Sequence, residues 1–130
     1  MTKPLRLVLL ALFTLCLAGP VPARADTVQV FAHVFIVPAT LADGSDAAVR
    51  VPDFEAWLAE TFGGYTRLGT GGGGWKNETG QVETEVNTTY LTTAGRDCSK
   101  DIAARLVQEF GMRVPYVLVV PAGAFVARSR

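Results

Sequence analysis

The stretch VQVFAHVFIV, Val28–Val37, decides the fold of this chain. It is rich in β-branched and aromatic residues, which is typical of a β-strand. Alternation along a strand places Phe31, His33 and Phe35 on one face, while the intervening residues, mostly valine, lie on the other. Because both faces are largely apolar, we expect this strand to lie in the middle of a sheet that is covered at least in part on both sides.

Two amphipathic helices are predicted from apolar residues at helical spacing. The first begins at Pro52, where a missing N–H costs nothing, and it ends at Gly63-Gly64. Its apolar face consists of Phe54, Trp57, Leu58 and Phe62. The second begins after a cap at Asp97 or Ser99 and closes at Gly111. Its apolar face consists of Ile102, Ala103, Leu106, Val107 and Phe110.

Between the helices lies the glycine run GTGGGGW, Gly69–Trp75. A phosphate loop requires Lys and then Ser or Thr directly after the last glycine, followed by a helix. Here Trp75 follows, and then the turn composition Asn77–Gly80 and the period-two stretch Val82–Thr92. We therefore interpret the run as one strand of a long hairpin, with Trp75 covering apolar surface that the glycines leave bare.

With a final apolar strand at Val114–Gly123, the element order is βαββαβ. This order predicts an α+β fold of the ferredoxin-like type, a four-stranded antiparallel sheet with both helices on one face. Right-handed crossovers place the first and third strands in the middle.

The amino terminus has the pattern of a cleaved signal peptide over residues 1–25. Lys3 and Arg6 precede the apolar stretch Leu7–Ala18, and Ala23-Arg24-Ala25 is a small-x-small cleavage motif. We expect an exported protein, periplasmic or secreted, whose residues 26–130 form a single domain. Twelve residues, eleven of them apolar, are too few for a stable membrane span of about twenty.

Charge and composition exclude several classes of function. The chain has 12 basic and 12 acidic residues, and the signal peptide removes only basic ones, so no basic stripe for nucleic acid remains. His33 is the only histidine, which argues against most zinc sites. We predict no metal and no cofactor. Cys98 is the one cysteine outside the signal peptide, so no internal disulfide can form after cleavage.

The segment FGGYTRLGTGGGGWKNETGQVETEVNTTY, residues 62–90, resembles a family of small exported bacterial proteins classed as a domain of unknown function. The matching residues are Gly64, Thr66, Gly74, Trp75 and Glu85, whereas the extra glycines at 71–73 depart from the pattern. The resemblance implies the ferredoxin-like fold and assigns no activity.

Two functional hypotheses follow from the predicted sheet. In the first, the chain is a non-enzymatic module whose helix-free sheet face, with Phe31, His33, Phe35 and Trp75, binds a second copy in a homodimer or another protein. Because of these aromatic residues, we favour a non-enzymatic module over an enzyme.

In the second, a small hydrolase or isomerase uses His33 with Glu83 or Glu85 as an acid/base pair on the same face. A nucleophilic pair of Cys98 and His33 is a further catalytic alternative.

Overall fold

The computed structural model describes residues 25–127 of the chain. Residues Val28–Ala124 form one compact unit, and the strand ends 25–27 and 125–127 are assigned to a second unit. The elements in chain order are β1 (Ala25–Pro38), a 3₁₀ turn (Ala47–Val49), α1 (Val51–Phe62), β2 (Thr66–Lys76), β3 (Val82–Ala94), α2 (Ser99–Phe110) and β4 (Val117–Ala127).

The four strands form a single antiparallel sheet in the order β2-β3-β1-β4. This order confirms the ferredoxin-like prediction and the central position of the first and third strands. In the β1–β3 register, His33 pairs with Thr92 and Phe35 pairs with Tyr90. The two-sided apolarity of β1 therefore identified a central strand correctly.

Both helices contribute to one hydrophobic core on one side of the sheet. The buried core residues are Phe35, Val37, Ala47, Phe54, Leu58, Tyr90, Cys98, Ile102, Leu106 and Phe110. The ring of Phe54 on α1 packs edge-on against Phe35, with centroids 6.0 Å apart, and against Phe110 of α2 at 5.2 Å. These contacts join the sheet and both helices through one aromatic residue.

Glycine ends both helices as predicted. Gly63 and Gly111 have φ values of 79° and 65°, a left-handed conformation that favours glycine. The start of α2 differs in detail from the prediction, because Cys98 rather than Asp97 or Ser99 is the N-cap residue. The Asp97 carboxylate still contributes, since it accepts a hydrogen bond of 2.8 Å from the Ser99 N–H.

The 3₁₀ turn was not predicted from the sequence, and the start of the last strand was predicted too early. The loop after β1 contains the 3₁₀ turn, which begins where the Asp46 carboxylate accepts a hydrogen bond of 2.8 Å from the Ala48 N–H. The last strand begins at Val117 rather than Val114, because Pro115 lacks the N–H that a sheet ladder uses.

The predicted signal peptide lies almost wholly in residues 1–24, outside the described part of the chain. Within residues 25–127, no helix combines the length and apolarity that a membrane span requires.

Candidate functional site: the helix-free sheet face and the edge strand

His33 lies on the core side of the sheet, beneath the start of α2. It is completely buried, and its Nε2 accepts a hydrogen bond of 2.9 Å from the backbone N–H of Cys98. Its Nδ1 has no hydrogen-bond partner among the described residues. This imidazole is therefore a core group and not part of an open surface.

The expectation that Phe31, His33 and Phe35 face away from the helices is wrong. Phe35 is 1% exposed and stacks on Tyr90 with ring centroids 5.8 Å apart. Phe31 is half-buried on the same face. The helices cover the aromatic side of β1 because the large rings fill the space between sheet and helices. The face with the smaller aliphatic side chains is not covered by the helices.

The carboxylates expected beside His33 lie on the opposite face of the sheet. Thr92 is the partner of His33 in the register, and side chains on β3 alternate, so Glu83 and Glu85 face the helix-free side. Neither carboxylate can form an acid/base pair with a ring on the core side. The catalytic assignment of His33, Glu83 and Glu85 therefore fails on geometry.

The structure does bring Cys98 next to His33, but through the Cys98 backbone. The Cys98 thiol is buried and donates to the carbonyl oxygen of Arg96 at 3.5 Å. The carboxylate Oδ1 of Asp97 lies 3.7 Å from Nε2 of His33, beyond hydrogen-bond distance, and Nε2 already accepts from the Cys98 N–H. Since the imidazole lone pair is taken by an amide, it is not available to activate the sulfur.

A polar cluster that sequence analysis did not identify joins α1 to the hairpin. Glu55 on α1 accepts a hydrogen bond of 2.7 Å from the Tyr90 hydroxyl and another from the Arg67 guanidinium. Burial alone would raise the pKa of Glu55, but hydrogen bonds from Arg67, Tyr90 and Tyr65 outweigh it and leave this pKa below its ordinary value.

The same contacts act on Tyr90 in the opposite direction. Burial and the adjacent Glu55 carboxylate raise the pKa of Tyr90 to about 12. Near neutral pH, Glu55 is therefore ionised and Tyr90 is a neutral phenol, so neither is tuned for proton transfer there. The cluster holds α1 against β2 and β3.

A cleft of about 430 Å³ lies beside this cluster. Its lining residues are Val37, Pro38, Ala39, Asp46, Ala48, Val51, Pro52, Glu55, Arg67, Thr70, Thr88 and Tyr90. Two of these lining residues, Glu55 and Arg67, form an ion pair with each other. Across the described residues, no group of three or more His, Cys, Asp or Glu side chains is placed to hold a metal ion.

The helix-free face of the sheet is aliphatic at its centre. On β1 it carries the even-numbered residues from Val28 to Ile36, none of them charged. Leu91 on β3 pairs with Val34 and shares this face. On β4, Val117 packs against the core, so alternation places Leu118 and Val120 here, each 44% exposed. We name these aliphatic side chains of β1, β3 and β4 the helix-free patch.

The glycine run is strand, as predicted, and forms a free edge of the sheet. Gly71 pairs with Asn87 of β3 and Trp75 pairs with Glu83, so both lie on the helix-free face. Trp75 is 46% exposed. The Asn77–Gly80 turn follows as expected, with Gly80 at a φ of 83°. We name the regular segment of β2 from Thr70 to Lys76 the glycine edge.

The members of this polar cluster, Glu55, Arg67 and Tyr90, carry no shared local signal in the sequence; we name them the Glu55 cluster. Arg67 is 12 residues and Tyr90 is 35 residues from Glu55 along the chain. A carboxylate in the first turns of a helix is explained equally well by the helix dipole.

Comparisons with known proteins bear on the fold only. No family model matches the chain, and no curated protein matches it. A crystal structure of a Bacillus cereus protein related to NIF3 superposes with a TM-score of 0.54 at 13% identity. The superposition covers 75% of this chain and 26% of that one, so this chain spans about a quarter of that protein's length.

Proposed function

We propose that this chain is an exported, non-enzymatic module that associates with a second copy of itself through the helix-free patch. The observation that carries the proposal is that the helix-free face of β1, from Val28 to Ile36, is aliphatic and free of charge. A contiguous apolar surface of this kind on a small domain is typical of an interaction site.

The size of the face is adequate for a homodimer. Eight residue pairs join β1 to β3, from Phe31 with Ala94 to Pro38 with Asn87. At ~3.3 Å per residue and ~4.8 Å between strands, the three strands that carry the patch cover roughly 380 Å² in projection. Side chains raise the accessible area above the projected one, towards the ~800 Å² that a standard interface buries per partner.

The uncharged character of the patch favours a second copy as its partner. A two-fold interface brings the same surface of each copy together, so any charge at its centre meets its own kind. The central residues Val34, Leu91 and Leu118 avoid that repulsion, and they offer no charge for a different partner to recognise. Face-to-face packing of two such sheets is a common way to cover aliphatic surface.

Export is part of the proposal and is supported by the amino-terminal pattern. Lys3, Arg6, the apolar stretch Leu7–Ala18 and the motif ending at Ala25 together have the composition of a signal peptide. The absence of a disulfide option then makes association a physical route to extra stability outside the cell.

The test is sedimentation of residues 26–130 at increasing concentration. We expect a dimer that Val34→Lys weakens by at least about tenfold, because it buries a charge against its own copy. Val107→Lys is the matched control, since Val107 is 47% exposed on α2 and remote from this face. A monomer at high micromolar concentration, or equal effects of both variants, would overturn the proposal.

A further inference from the structure

Two glycines of the glycine edge, Gly71 and Gly72, have room for a larger side chain in the single copy. Gly69, just before it, has a φ of 144° next to the bulge between Arg67 and Gly69, where glycine is favoured. A Cβ at Gly73 would lie 2.6 Å from Nδ2 of Asn87. A Cβ at Gly71 or Gly72, in contrast, would meet nothing within 4 Å.

In addition, β2 has a neighbouring strand on one side only. In the order β2-β3-β1-β4, β2 is hydrogen-bonded to β3 on one side and is the outermost strand on the other. Half of its backbone N–H and C=O groups therefore point outward from the sheet. Natural edge strands are commonly protected by charged side chains or proline, but from Thr70 to Trp75 the sequence contains neither.

We infer that the glycine edge is a second self-association surface, at which β2 pairs antiparallel with β2 of another copy. The bulge at Arg67/Gly69 ends the regular pairing on one side, and the Asn77–Gly80 turn ends it on the other. The regular segment from Thr70 to Lys76 is centred on Gly73. A two-fold axis at Gly73 therefore pairs each residue of this segment with one in the same segment of the other copy.

This register places a large side chain opposite a missing one. Gly71 of each copy lies directly across from Trp75 of the other, and both are on the helix-free face. An aromatic residue across from a strand glycine shields the bare backbone and stabilises the pair. Because Trp75 is half-exposed in the single copy, the indole has surface to bury when the second copy pairs.

The charges near the edge accommodate the same register. Lys76, the charged residue of the segment, pairs with Thr70 of the other copy. Glu83 and Glu85 lie on β3, so the two copies of each carboxylate remain separated by the two β2 strands, at least about 14 Å. No like charges meet at the new pairing.

The inference is independent of the helix-free patch, because edge pairing extends the sheet sideways and leaves its face free. The two surfaces can therefore be tested separately in one set of proteins. Gly72 is the position for the disrupting change, since its Cβ has open space in the single copy and Gly72 of the two copies lie on either side of the axis.

The experiment measures sedimentation of residues 26–130 carrying Val34→Lys, so that association through the patch is already weakened in every protein compared. We expect a residual concentration-dependent dimer, weakened at least about tenfold by Gly72→Lys because two ammonium groups are brought close together. Gly72→Ala is the matched control and retains the dimer. Trp75→Ala is expected to weaken it by about tenfold.

Amide hydrogen exchange identifies the paired strand directly. Protection of the outward amides between Thr70 and Lys76 should rise with protein concentration, while amides of β4 remain unchanged. A strictly monomeric Val34→Lys protein would overturn the inference without affecting the proposed patch. Equal dimerisation of Gly72→Lys and Gly72→Ala, or concentration-independent exchange at the glycine edge, would also overturn it.

Discussion

The imidazole of His33 on β1 caps the second helix: its Nε2 accepts a hydrogen bond of 2.9 Å from the N–H of Cys98, the N-cap residue of α2. An accepting Nε2 in a neutral ring places the proton on Nδ1. The only histidine of the chain thus connects a central strand to a helix 65 residues away in sequence. That contact satisfies Nε2 of the buried ring and occupies the lone pair that a general base would need.

Loss of the His33 cap should destabilise the fold. We expect His33→Ala to lower the free energy of unfolding by about 2–4 kcal/mol, because it leaves both a cavity and an unpaired amide at Cys98. His33→Gln retains a hydrogen-bond acceptor and should lose less. Urea unfolding followed by circular dichroism measures the difference, and Val107→Ala on exposed α2 surface is the control. An effect of His33→Ala below about 0.5 kcal/mol would contradict the assigned role.

Two glycines of the glycine edge, Gly71 and Gly73, should respond in opposite ways to an added methyl group. Gly73→Ala places Cβ 2.6 Å from Nδ2 of Asn87, which is 6% exposed, so the amide must shift. We expect a loss of about 1 kcal/mol. Gly71→Ala meets no atom within 4 Å and should be neutral or stabilising by about 0.5 kcal/mol.

The contact with Asn87 can be isolated by a double-mutant cycle. If the methyl group acts through this amide, Gly73→Ala combined with Asn87→Ala loses less stability than the sum of the two single changes. Strict additivity of the two would place the cost of Gly73→Ala elsewhere. Thermal unfolding of the four proteins at one concentration supplies the numbers.

The fold could be predicted because its signals are local. Pro52, Gly63 and Gly111 set helix ends, and Asn77–Gly80 sets the hairpin turn, each through backbone preferences of a few neighbouring residues. Which face of β1 the helices cover could not be predicted, because both faces are apolar and alternation alone does not distinguish them. Placing Phe35 and His33 on the wrong side followed from that ambiguity.

The Glu55 cluster illustrates the other limit. Its members Glu55, Arg67 and Tyr90 come from α1, β2 and β3, and their contacts exist only after the hairpin has packed against the helix. Periodicity and turn composition carry no information about such pairs. The glycine edge lies between these cases: local composition predicts the strand, whereas the free space at Gly71 and Gly72 depends on how the surrounding chain packs.

Acidification should weaken the fold through Glu55. The pKa of Glu55 is lowered in the folded chain from an ordinary value of 4.5. Its stabilising contribution is therefore complete above about pH 4.5 and is lost as the pH falls through the lowered value. Glu55→Gln should be less stable than the wild type at neutral pH and lose less on acidification. Parallel stability profiles of the two proteins below pH 4.5 would contradict this coupling.

Alkaline pH should act on the same cluster through Tyr90. Its pKa is raised from 10.0 to about 12 in the folded chain, so the neutral phenol is stabilised by folding. That contribution is present below pH 10 and is lost as the pH rises towards 12, because tyrosinate cannot donate to the Glu55 carboxylate and is repelled by it. Tyr90→Phe is expected to be less stable than the wild type near neutrality, since it loses one hydrogen bond, yet to have a flatter profile above pH 10. Tyr116→Phe removes a phenol that is 64% exposed and is the matched control for the number of titrating groups. Unfolding curves measured across this range, with tyrosinate absorbance recorded alongside, would contradict the assignment if Tyr90→Phe lost stability as steeply as the wild type.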